Sequence, residues 1–296
     1  MVSVQDDPGD DEVRMGETNP VQLPRHRALR YLQPLREGGS LPAVVETDGG
    51  LFVTKFRGAG QGAKALVAEL VAGLLADSLG LPVPGLAAVE LGEGFGDDQE
   101  DPEIRDLLQA SVGTNIGLTY LDGAFNFDLL AAGDLLPADL ASEIVWFDAL
   151  VTNLDRTARN PNLLVWERAP WLIDHGAALY AHHAWDRVDE ARTRTPFPLI
   201  EDHVLLTHAT DLRAADDRLA QQIDPGLFQT VLAAVPDDLL LDTAVRDGFE
   251  DAEEARARYV AYLELRMRAP RRWVEKAVAA RAERLARPPA RLEARR

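Results

Sequence analysis

Between Lys64 and Asp77 the sequence "KALVAELVAGLLAD" places a single ionisable side chain, Glu69, in a run that is otherwise apolar or small. Leu66, Leu70 and Leu74 recur at helical spacing beside Val67, Val71 and Leu75, so the apolar positions spread beyond one stripe. The segment predicts a long helix that is largely buried, with Gly80 as its stop signal. Ahead of it, "LPAVVET", "DGG" and "LFVTKF" read as two strands joined by an Asp-Gly-Gly turn. "LPVPGLAAVEL" and "NIGLTYLDG" read as further strands, separated by a helical turn at "DPEIRDLLQAS". After Asp128 the pattern is mainly helical, beginning with "ADLASEIVWFDALVTNL". The fold class is α+β. Residues 1–24 read as a disordered acidic tail, 25–117 as a small strand-rich unit and 118–296 as a larger helical one, with a hinge near residues 118–123.

Charge excludes some functions. A net charge of -18 and a pI near 4.7 oppose a nucleic-acid surface. From Asp251 onward the balance reverses, which reads as a basic C-terminal helix docking onto an acidic body. The chain has no cysteine, so any metal sits on oxygen or histidine. No apolar run reaches about 18 residues and no leader-like start is present, so no membrane span and a cytoplasmic location are expected.

The remaining polar residues point to phosphate chemistry. A period of two puts Lys55 on one face with Leu51 and Val53, and a lone cation on an apolar face needs an anion. Glu69, with Ala65 and Gly73 one turn to either side, can approach a strand closely and pair with it. An exposed pair contributes only about 0–1 kcal/mol, so Lys55→Met is expected to weaken nucleotide use far more than folding. "REGGSLP" and "RGAGQGAK" flank the hairpin, and glycine lets backbone amides approach phosphate. Gly38, Gly39 and Ser40 are the expected phosphate-facing turn.

Downstream, "NLLVW" and "WLID" flank "ERAP", which reads as a four-residue hairpin loop. Pairing Trp166 with Trp171 sets Leu163 opposite Asp174 and returns Asp174 to the neighbourhood of Asn160 and Asn162. Asp155, in a loop after a helix, can accept a hydroxyl proton. Asn160 and Asp174 supply the neutral and anionic oxygens that Mg²⁺ takes when phosphates complete its shell. Each of the three also has a plain turn-forming role. A hydrolytic metal site on Asp174, His175, His182 and His183 is disfavoured, because adjacent His182 and His183 point apart in regular structure.

The order glycine loop, "VTK", "VAEL", "LGLPVP", "NLDRTARN" and "IDHG" resembles the HipA-like branch of the protein-kinase-like fold, distantly similar to phosphatidylinositol kinases. The resemblance spans roughly residues 30–215 and is carried mainly by the pair D-R-x-x-x-N and I-D-H-G. It implies a two-lobed kinase fold in which Lys55 binds the α/β-phosphates of ATP, Glu69 orients it, Asp155 is the catalytic carboxylate, and Asn160 and Asp174 bind Mg²⁺. Thr157 stands where ordinary protein kinases have a loop lysine, so Arg156 and Arg159 are the candidates to face the γ-phosphate. The implied activity is ATP- and Mg²⁺-dependent phosphorylation of a protein Ser or Thr hydroxyl. A nucleotide-binding pseudokinase, or a kinase for a small molecule or lipid headgroup, are the alternatives. With only about thirty residues before the glycine loop, the extra N-terminal subdomain of toxin-type HipA proteins is not expected.

Overall fold

The computed structural model describes residues 21–35, 41–60 and 62–287, so the acidic tail up to residue 20 and the turn Gly38, Gly39 and Ser40 lie outside the described residues. The first part comprises β1 (Arg25–Pro34), β2 (Ala43–Thr47), β3 (Gly50–Lys55), α1 (Gly62–Ser78), β4 (Leu86–Leu91), α2 (Pro102–Gln109) and β5 (Gly113–Thr119). Its strands close into a barrel in the order β1-β2-β3-β5-β4, with β1 parallel to β4 and every other pair antiparallel.

The sequence pattern names no strand before "LPAVVET", so β1 is missed. Its pairing with β2 shifts register between Ala28 and Arg30 and again between Tyr31 and Gln33. Such bulges break the two-residue alternation by which a strand is recognised. Residues 21–24, grouped by sequence with the tail, lie against the protein: Val21 and Leu23 pack on the larger core. The β2–β3 turn is tighter than three residues, since Thr47 pairs with Gly50 across Asp48 and Gly49. A Cβ on Gly49 would fall 2.1 Å from the His26 ring, so a larger residue there requires the His26 side chain to move away.

Helix α1 is buried from Leu66 to Ala76 without a break. It packs on β4 and β5 on one side and on helices of the second part on another. Gly73 allows the approach to β4, since a Cβ there would meet Leu86 Cδ1 at 2.9 Å.

The second part holds β6 (Phe125–Asn126), α3 (Leu129–Ala132), α4 (Ala138–Val151), β7 (Leu163–Trp166), β8 (Ala169–Leu172), α5 (Glu190–Thr193), α6 (Leu212–Gln222), α7 (Leu227–Ala233), α8 (Asp237–Asp247), α9 (Ala252–Met267) and α10 (Arg272–Ala286). Strands β6, β7 and β8 form a small antiparallel sheet. The expected basic C-terminal helix is two helices, α9 and α10, docked on the body. Trp273 of α10 is buried edge-on against Trp146 of α4 at 5.2 Å between ring centroids. Arg266 of α9, also buried, donates from Nε to Leu150 O at 2.7 Å and from Nη2 to Ala149 O at 2.6 Å. A cation on the last carbonyls of α4 satisfies groups that the helix leaves without partners and suits the negative end of its dipole. That contact fixes the point at which the chain leaves α4 for residues 152–162. Among the described residues, no helix is long and apolar enough to cross a membrane.

Candidate active site

Lys55, Glu69 and Asp174 come from three separate elements and meet. Lys55 ends β3, opposite Ile116 of β5. Its Nζ donates to Glu69 Oε2 of α1 at 2.7 Å and to Asp174 Oδ1, just beyond β8, at 2.6 Å. The Lys55–Glu69 pair expected from sequence is present, but it is not exposed: the side chains are 10% and 0% accessible. The premise that the pair is exposed, on which Lys55→Met is expected to weaken nucleotide use far more than folding, is therefore corrected, because loss of Lys55 would leave a carboxylate buried without a counter-ion.

Burial draws the Lys55 ammonium down, yet Glu69 and Asp174 outweigh it and hold the group above its ordinary value. Burial likewise pushes the Glu69 carboxyl up, and Lys55, helped by His175, overcomes this and brings it down to about 2. His175 Nδ1 lies 3.9 Å from Glu69 Oε1, beyond hydrogen-bond distance.

The hairpin that returns Asp174 differs from its predicted form. Glu167 and Arg168 both have positive φ, 49° and 64°, and form a two-residue turn that pairs Trp166 with Ala169. Positive φ at both central residues is the type I′ geometry that matches strand twist, and it replaces the expected four-residue loop. Leu163 therefore faces Leu172, and the two tryptophans stack diagonally, edge to face at 5.2 Å. Asp174 still returns to the Asn160 side, since Ile173 N donates to Asn162 O at 3.1 Å. Asp174 itself sits at φ 56° and Asn162 at φ 49°, left-handed positions that Asn and Asp adopt more readily than most residues.

Asp155 follows α4 and accepts at Oδ2 from Asn160 Nδ2 at 2.7 Å. Arg156 is not available to a phosphate. It is buried, with its Nε 2.5 Å from Asp148 Oδ2 and its Nη1 donating to Asn162 O and, at 3.4 Å, to Ile173 O. A side chain with every donor directed inward staples the loop carrying Asp155 to the limb carrying Asp174. Arg159 is exposed on the same loop.

Asp148 and His203 complete this anchor and are absent from the sequence prediction. His203 accepts at Nδ1 from Leu205 N at 3.0 Å, which assigns the proton to Nε2, 2.9 Å from Asp148 Oδ2. Burial pushes the Asp148 carboxyl up, but Arg156 and His203 hold it well below the usual range. Burial keeps His203 below its ordinary value despite Asp148. A signal for Asp148 exists in "IVWFDALV", a lone carboxylate in an apolar helix, just as for Glu69. His203 offers no such signal.

Both carboxyls are depressed in the folded state, so their contribution to stability is complete above the unfolded-state values and is lost on acidification. For Glu69 the window runs from its ordinary 4.5 down to about 2. Unfolding free energy from urea titrations is expected to fall steeply across that window, and Glu69→Gln, less stable near neutrality, should lose less. Equal acid slopes in both proteins would contradict this.

Oxygen donors suit Mg²⁺. Asn160 commits its Nδ2 to Asp155, leaving Oδ1 to ligate, and the Asp174 side chain is 39% exposed. Two protein oxygens are few for a self-contained metal cage but fit an ion that arrives with phosphates. His182 and His183 are used otherwise: their rings touch at 3.2 Å, and His182 Nδ1 lies 3.0 Å from Tyr259 Oη. They face one another across an irregular helical turn, contrary to the expectation that they point apart. Among the described residues, no group of three or more His, Asp and Glu is arranged to hold a metal.

A family model described as HipA-like kinase matches residues 32–197, more than half of the chain, and spans Lys55, Glu69, Asp148, Asp155, Asn160 and Asp174, with His203 beyond it. The chain belongs to the HipA-like kinase family. No curated protein matches it. Among solved structures, the Helicobacter pylori proinflammatory kinase CtkA is similar at 12% identity and a TM-score of 0.50, with 90% of this chain and 99% of that one covered. At that identity the likeness is one of fold. The HipA-like family assignment makes the protein a kinase, and with it come ATP use and, usually, a divalent metal.

Proposed function

We propose that this HipA-like kinase transfers the γ-phosphate of Mg-ATP to a protein Ser or Thr hydroxyl, within a two-lobed kinase-like arrangement whose lobes are residues 25–117 and 118–296. The observation that carries the reading is the position of Lys55 Nζ, within hydrogen-bond reach of both Glu69 and Asp174. A buried ammonium held between two carboxylates, one of them partly exposed, is a preorganised cation beside a metal ligand, which suits phosphate.

In this reading Lys55 binds the α/β-phosphates and Glu69 fixes its Nζ. Asp174 and Asn160 would hold Mg²⁺, which supplies neutralisation of phosphate charge when bound. Asp155, held by Asn160, receives the acceptor hydroxyl proton. Arg159, rather than Arg156, is the loop cation able to reach the γ-phosphate. Gly38, Gly39 and Ser40 keep their proposed role of covering the phosphates.

The acceptor class is tested by incubating the purified chain with Mg-ATP and a lysate, followed by mass spectrometry. Phosphate on Ser or Thr of proteins is expected, at sites absent with Asp155→Asn. Phosphate appearing only on small molecules or lipids would contradict the protein-acceptor assignment.

A further inference from the structure

Two helix ends carry charges that their own dipoles disfavour. Lys64 lies in the first turn of α1, where exposed N–H groups make the end positive, and Asp247 is the last residue of α8, where carbonyls make it negative. Lys64 is not balanced within its own helix: α1 has no acidic residue in its first turn, and Val67 and Ala68 occupy the positions that could pair with Lys64. The two charges are balanced by each other. Lys64 Nζ lies 2.6 Å from Asp247 Oδ1, with the side chains only 15% and 9% accessible, and it also donates to His182 O at 2.5 Å.

The same helix grips a second cation. Asp238 and Asp242 stand one turn apart on α8, a spacing at which like charges repel. Arg57 sits between them, with Nη1 2.9 Å from Asp238 Oδ2 and Nη2 bonded to Asp242. Arg57 is two residues beyond Lys55, and Lys64 is five residues before Glu69. The chain joining them contains Gly58, Gly60 and Gly62, and Cβ atoms added at Gly60 and Gly62 would meet nothing within 4 Å. The joint between the two members of the central ion pair is thus glycine-rich, with α8 holding both of its ends.

We propose that α8 is a positioning helix. Through Asp247 on Lys64, and Asp238 and Asp242 on Arg57, it holds the end of β3 and the start of α1 at the separation that lets Lys55 and Glu69 meet. The inference rests on the phosphotransferase reading for its effect on activity, but not for its effect on α1. None of these five residues touches the reacting groups; they act through Lys55 and Glu69.

The test uses the full chain with Lys64→Met, Lys64→Arg and the near-isosteric Asp247→Asn. Amide hydrogen exchange of residues 62–70 is compared with that of α10, alongside kcat and KM for ATP. Lys64→Met and Asp247→Asn are expected to speed exchange in 62–70 by about tenfold while leaving α10 unchanged, because local opening is uncoupled from global unfolding. They should also lower kcat/KM for ATP by about tenfold, since small displacements of phosphate-positioning groups are costly, whereas Lys64→Arg keeps it within about twofold. Unchanged exchange in 62–70 would overturn the proposal, and so would faster exchange there with unchanged kcat/KM. A wild-type chain that transfers no phosphate would remove the kinase reading, and exchange in 62–70 alone would then decide whether α8 holds α1.

Discussion

Lys55→Met is expected to lower phosphoryl transfer from Mg-ATP by about 10²-fold or more and to cost about 3–5 kcal/mol of unfolding free energy. The two losses have different causes. In the proposed function, transfer falls because the cation that would face the phosphates is gone. Stability falls because Glu69, fully buried, keeps a carboxylate whose nearest remaining partner, His175, is 3.9 Å away. Lys55→Met combined with Glu69→Gln separates them, since a neutral amide at position 69 removes the stranded charge. The double variant should regain most of the stability and none of the transfer, as read by urea unfolding and phosphate incorporation. A single variant as stable as the wild type would show that the pair is not the buried one described here.

Lys55 and Glu69 are legible in the sequence because each is a lone charge in an apolar run, where desolvation forces it to find a partner. Helix α1 is legible for a related reason: apolar residues on every face leave burial as the only stable outcome. Asp155, Asn160 and Asp174 are legible as a set by spacing, and their return to one place survives even though the predicted hairpin register does not. The register fails because Glu167 and Arg168 take left-handed conformations without the glycine or asparagine that usually marks such a turn. Strand β1 escapes notice because two bulges hide its alternation. Arg156 shows the limit of a motif reading. Its place beside Asp155 says only that it is close, whereas Asp148, on the preceding helix, and His203, 47 positions beyond Arg156, decide that it points inward. A long-range partner such as His203 leaves no local pattern.

The roles proposed for Asp155 and Asp174 predict different defects. Under the proposed roles, Asp174→Asn would remove a negative ligand from the Mg²⁺ shell as well as the hydrogen-bonded counter-ion of Lys55, so the thermal stabilisation conferred by Mg-ATP should vanish along with transfer, because stabilisation by a ligand scales with its affinity for the folded state. Asp155→Asn leaves Lys55, Glu69 and Asp174 in place and should keep most of that stabilisation, while transfer falls by about 10²-fold or more, within the range that removing a general base costs. The most direct measurement is the Mg-ATP thermal shift of the wild type and the two variants, taken beside incorporation of labelled γ-phosphate. Binding retained and transfer lost in Asp155→Asn, with both lost in Asp174→Asn, is the predicted result; equal loss of binding in the two variants, or unchanged transfer in either, would contradict it.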